Sequence, residues 1–168
     1  MRVRGVLTLT GLLLAVGALS AGCGYRAGEL HRPGIETVHV EIFASREFRR
    51  DLEFKLTEAI KKRVNLDTPY RLAARAEADT ILKGEVLEVR QAAFATDYES
   101  RLPREKQLTL AVRVQWQDLR TGRVLVDQPV ELQAADYLTP TGETEALAQE
   151  RAIDRMAARI VAKMYRDW

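Results

Sequence analysis

The sequence predicts an α+β two-layer sandwich: a four-stranded, mostly antiparallel sheet with two helices packed on one face, in the order β-α-β-β-β-α. Two observations carry this prediction. Several segments alternate apolar and polar residues, the mark of strands that bury one face. Two other segments repeat apolar residues every three or four positions, the mark of helices with one buried stripe. Helices laid over one face of a sheet cover both kinds of surface.

The first strand is Thr37 to Ile42, with Val38, Val40 and Ile42 on one face and Thr37, His39 and Glu41 on the other. His39 reads as a solvated strand residue. Ser45 suits a helix N-cap, and Phe48, Leu52, Leu56, Ile60 and Val64 recur every four residues behind it. Lys61, Lys62 and Arg63 favour the negative end of that helix. Asn65, Asp67 and Pro69 end it, and Tyr70 to Leu72 adds a short extended piece.

A second strand runs from Ala78 to about Arg90, with an alternation that slips near Gly84 and so suggests a bulge there. Gln91 to Lys106 reads as a long connection. Leu108, Leu110, Val112, Val114 and Trp116 make the clearest strand. A tight turn follows at Asp118 to Gly122, where glycine is free to take positive φ. Val124 to Leu132 returns as the fourth strand, bulged or at an edge because Pro129 donates no amide. Tyr137 to Gly142 is a linker. The last helix spans about Thr144 to Tyr165, with Ile153, Ala157, Ile160 and Met164 as its stripe; its methionines read as core.

Ahead of all this lies an address. Arg2 and Arg4 precede an uncharged run from Val6 to Leu19, which is shorter than the roughly 20 apolar residues of a membrane-spanning helix and fits a signal-peptide core. Small residues then lead to Cys23, the one cysteine of the chain. The segment resembles a bacterial lipobox, with Ser20 where leucine is usual. That resemblance implies thioether lipidation of Cys23, cleavage before it and N-acylation, and Gly24 suits the outer membrane. The organisation expected is residues 1–22 as a removed signal peptide, 23–34 as a lipidated tether and 35–168 as a single domain.

Without the leader, 146 residues remain of 168, and setting aside Arg2 and Arg4 leaves 24 basic against 24 acidic side chains. A neutral domain argues against nucleic-acid binding driven by overall charge. With Cys23 lipidated no thiol remains for disulfide or thiol chemistry. The sequence shows none of the serine-hydrolase, zinc, redox or phosphate-loop motifs. It therefore points to a binding protein rather than an enzyme, with no metal and no cofactor beyond the lipid on Cys23.

The feature that invites a ligand is the Gln91 to Lys106 connection, where Phe94 and Tyr98 sit beside Arg101, Arg104 and Lys106. Bases with apolar neighbours suit an amphiphile bearing phosphates, although Asp97, Glu99 and Glu105 offset the charge. A solvated or protein-docking loop explains the same residues.

Cys23-Gly24-Tyr25 after the leader, the run Thr37 to Phe43, and Ala78-Asp79 followed by Leu82-x-Gly84-x-Val86 are similar to the LptE family of lipopolysaccharide-assembly lipoproteins. The terminal helix completes the same element order. The resemblance implies a non-enzymatic outer-membrane lipoprotein, facing the periplasm and barrel lumen, that plugs the LptD β-barrel translocon and assists its assembly. It implies lipopolysaccharide as a ligand contacted by loop bases. The Tyr137 to Gly142 linker holds no base, so Arg90, Arg101, Arg104 and Lys106 are the candidate contacts by location and chemistry. A lipoprotein that activates a cell-wall synthase, one that helps assemble another secretion pore, and a small-ligand carrier remain open readings of the same residues.

Overall fold

The computed structural model describes residues 31–46, 51–96, 103–138 and 143–165. Cys23 and the leader lie outside them. The elements are β1 (Thr37–Val40), β2 (Ala44–Ser45), α1 (Leu52–Asp67), β3 (Arg71–Leu72), β4 (Thr80–Thr96), β5 (Pro103–Asp118), β6 (Val124–Leu138) and α2 (Glu145–Ala162).

Among the described residues two helices lie against one sheet, as the periodicities predict, but the sheet has six strands instead of four. Its order is β3-β1-β4-β5-β6, with β2 beside β4. The sheet is mixed: β1 runs parallel to both β3 and β4, and β2 parallel to β4. The meander β4-β5-β6 is antiparallel. The unforeseen β2 is two residues long, too short to carry any periodicity. It forms because β4 outruns β1 and offers free backbone: the amide of Glu41 donates to Leu82 O and that of Arg46 to Val86 O.

The largest departure is the 91–106 connection. Gln91 to Thr96 continues β4 and Pro103 to Lys106 opens β5, so this stretch is mostly paired hairpin. Ala92 pairs with Gln107 and Ala93 with Lys106. The Gln-Ala-Ala-Phe-Ala-Thr run has no alternation, and the pairing is supplied by β5. For the same reason β6 runs on to Leu138, and Tyr137 is a buried strand residue instead of part of a linker.

The register slip predicted near Gly84 falls instead between Val86 and Glu88, and Gly84 pairs regularly with Val114. Around Pro129 the register does shift, between Val112 and Val114, and β6 is an edge strand. His39 is only half-exposed, with Nδ1 3.0 Å from Ala73 O.

Ser45 belongs to β2, and α1 starts at Leu52 after Asp51, which takes a left-handed φ of 68°. Asp tolerates that conformation better than most residues. The helix ends where Thr68 donates from both its amide and its Oγ1 to Val64 O. Pro69 then holds Thr68 extended. α2 starts at the expected Thr144, whose Oγ1 accepts from the Leu147 amide at 3.3 Å.

The core follows the predicted stripes of the helices and the predicted face of β5, with departures at the sheet margins. Ile42 lies past the end of β1 and is 56% exposed, and Val124, Val130 and Leu132 of the edge strand are exposed too. Phe48 lies outside the described residues. Leu52, Leu56, Ile60 and Val64 of α1 meet Ile153, Met156, Ala157, Ile160 and Met164 over Leu82, Val86, Leu108, Leu110, Val112, Val114 and Trp116. Each large aliphatic side chain so buried contributes about 1.5–3 kcal/mol. The Ala148, Ala152 and Ala157 positions of α2 are all buried. Arg63 of α1 bonds Asp154 of α2 at 2.8 Å, and the Tyr165 hydroxyl reaches Asp67 O.

Candidate interaction surface

The helices cover the sheet face that carries the even-numbered residues of β5. Among the described residues no element packs over the opposite face, which has two halves along the meander.

Near β1 this open face is charged. Glu85 stands directly opposite Arg113 in the ladder, at 3.4 Å. It also accepts two bonds from Arg46, at 2.7 and 3.2 Å. The hydrogen bond from Arg46, and then the nearby charges of Arg46 and Arg113, hold the Glu85 carboxyl below its ordinary range. A surface cavity of about 370 Å³ lies here, lined by Ile42, Ala44, Lys83, Arg113, Gln115 and Asp127 among others. Arg46 and Glu85 reach each other only because β2 pairs with β4, which no local pattern in the sequence announces.

Toward the hairpin, exposed apolar side chains join the polar pairs Arg90–Glu88 and Gln107–Asp136. Leu132 is 56% exposed, Val130 49% and Leu138 45%, and Phe94 of β4 is 64% exposed. A hollow of about 300 Å³ is lined by Glu88, Arg90, Thr109, Ala111 and Leu132. Glu143 clips this end: it accepts from the Leu138 amide at 2.8 Å and from Arg151 at 2.9 Å. Those two bonds, the backbone one first, keep its carboxyl below the usual value.

Of the bases named from the sequence, Arg90 lies in this hollow, with its guanidinium bonded to Glu88 at 2.9 Å. Lys106 stands in β5 between Ala93 and Tyr137. Arg90 pairs with Thr109, three residues along β5 from Lys106, so the two bases project from opposite faces of the sheet. Of Arg104 only the backbone, in β5, is described, and Arg101 and Cys23 lie outside the described residues. Among the described residues no group of His, Cys, Asp or Glu could hold a metal ion, and no helix is long and apolar enough to cross a membrane. The surface offers guanidinium groups and exposed apolar side chains, which suits binding.

The profile of the LptE lipopolysaccharide-assembly family matches residues 35–168. The chain belongs to the LptE family. It is thus a non-enzymatic lipoprotein of lipopolysaccharide assembly, associated with the outer membrane and with the lipopolysaccharide transport machinery. No curated protein matches the sequence. Among solved structures, this LptE-family chain is similar to the hypothetical protein CT253 of Chlamydia trachomatis. Identity is 14%, over 77% of this chain and 95% of that one, with a TM-score of 0.55. It is also similar to PelC, a dodecamer from Paraburkholderia phytofirmans, at 14% identity over 83% and 96%, with a TM-score of 0.55. Lipoprotein B from Nitrosomonas europaea matches at 15% identity over 84% and 91%, with a TM-score of 0.53. At such identities these likenesses show a shared fold.

Proposed function

We propose that this LptE-family chain is held at the outer membrane by lipids on Cys23, and that it sits as a plug in an LptD-type β-barrel. There it assists folding of the barrel and the passage of lipopolysaccharide to the outer leaflet. The observation that carries this reading is the family match across the whole predicted domain. The open sheet face supports it, since its exposed apolar residues and arginines together suit a protein wall or an amphiphile, and of the named bases Arg90 lies on that face. Arg90, Arg101, Arg104 and Lys106 are the proposed contacts with lipopolysaccharide or the barrel. The domain division stays as 1–22 signal peptide, 23–34 tether and 35–168 folded domain, with the lipid as the one attached group.

Depletion of the chain tests the reading. It lowers the amount of folded barrel in the outer membrane and the lipopolysaccharide on the cell surface. Normal levels of both after depletion would overturn the proposal. Cys23→Ala tests the anchor separately: uncleaved precursor accumulates and the domain washes off membranes.

A further inference from the structure

The first described residues do not hang free of the domain. The Arg32 amide donates to the Tyr70 hydroxyl at 3.1 Å, and its Nη2 donates to Leu125 O at 3.4 Å. The guanidinium carbon lies 5.5 Å from the centre of the Trp116 ring, within the range of a cation–π contact. Tyr70 stands 5.7 Å from Trp116. The His31 ring is wedged between Tyr70 at 5.7 Å and Tyr165 at 5.1 Å. Trp116 is wholly buried, so the cup that receives Arg32 is part of the core. Past it, Arg120 Nη2 donates to Gly34 O, and the amides of Glu36 and Thr37 donate to Asp79.

We infer that Arg32 and His31 clamp the N-terminal tether into this aromatic cup, and that the clamp holds the Trp116 end of the domain beside the lipid surface. This rests on the proposed lipidation of Cys23. From Cys23 to Arg32 there are nine Cα steps, so whatever path they take they span at most about 32 Å. Were the tether free as far as Glu36, the limit would be about 47 Å. The sixteen residues of β5 run about 50 Å along the sheet. The hairpin end of the meander is therefore farther from the clamp than the tether can reach. The clamped end is thereby kept within about 32 Å of the leaflet, while the hairpin end is under no such bound and is free to stand away from it toward a partner.

The lipidated full-length protein tests this. Because Cys23 carries lipid, an introduced cysteine is the sole thiol. A fluorophore is placed at Thr121→Cys, in the β5–β6 turn of the clamped end, or at Ala92→Cys, in the hairpin half. The protein is set on phosphatidylethanolamine–phosphatidylglycerol vesicles that carry a headgroup acceptor. Energy transfer is stronger from position 121 than from 92, and Arg32→Ala narrows the difference. Tyr70→Phe, which keeps the ring but removes the acceptor of the Arg32 amide, narrows it too. Equal transfer from the two positions, or a difference untouched by both variants, overturns the clamp. Failure to float with vesicles would refute the anchor instead. Hydrogen exchange at the Arg32 amide then decides the clamp: slow exchange that is lost in Tyr70→Phe upholds it, and fast exchange in the unaltered protein overturns it.

Discussion

Gly84 in β4 packs directly against the ring of Phe43. A Cβ at position 84 would stand 2.2 Å from Phe43 Cε1 and 2.5 Å from the Arg113 carbonyl oxygen. The first contact involves a buried side chain and the second a ladder backbone, so neither yields easily. Gly84→Ala is therefore expected to lower stability by about 1–3 kcal/mol, the usual cost of overpacking, or more. Urea unfolding measures it. Adding Phe43→Leu recovers only part of the loss, because the Arg113 carbonyl remains.

This contact also shows what the sequence reveals and what it hides. Gly84 is conspicuous in an alternating run, but its neighbour Phe43 is found only once β4 is placed beside the chain leaving β1. The stripes of α1 and α2 and the face of β5 were legible because each is a local repeat. The start of α2 near Thr144 was legible as the edge of such a repeat, while the cap that Thr144 supplies there is seen only in the structure. The cap at Ser45 was misplaced because β4 claims that residue as a ladder partner. The meander beyond Arg90 was hidden because Ala92, Ala93 and Phe94 owe their strand to pairing with β5. On the surface, Arg90 and Lys106 are neighbours by chemistry, yet the register of β5 sends them to opposite faces. The Arg32 clamp joins residues as much as 93 apart in sequence, beyond any local signal.

Ile60 is fully buried on the α1 stripe. Ile60→Ala removes core volume and is expected to cost about 2–5 kcal/mol. Exposed Phe54 on the same helix provides the contrast, since Phe54→Ala should shift the urea midpoint little.

Thr144→Ala removes the oxygen that accepts the Leu147 amide. The expected loss is about 1 kcal/mol, read as a lower melting temperature. Thr144→Ser should restore most of it.

Asp79 accepts from the amides of Glu36 and Thr37 and from Thr37 Oγ1. These bonds, with Arg120 nearby, hold its carboxyl below the ordinary 3.8. Asp118 is held low in the same way by the amides of Thr121 and Arg120 in its own turn. A depressed carboxylate contributes stability that is full above its unfolded pKa and lost as pH falls through its folded one. Urea midpoints should therefore fall below about pH 4. Asp79→Asn should be less stable near neutrality and lose less on acidification. A variant with an acid limb as steep as that of the unaltered protein would contradict this.

The proposed partner of the domain is a β-barrel of lipopolysaccharide assembly. The most direct test of that partnership is purification of the tagged, lipidated chain in mild detergent, with mass identification of what accompanies it. A large outer-membrane β-barrel of the LptD type is expected in stoichiometric amount. A peptidoglycan synthase or the subunits of another secretion pore in its place would refute the barrel partnership.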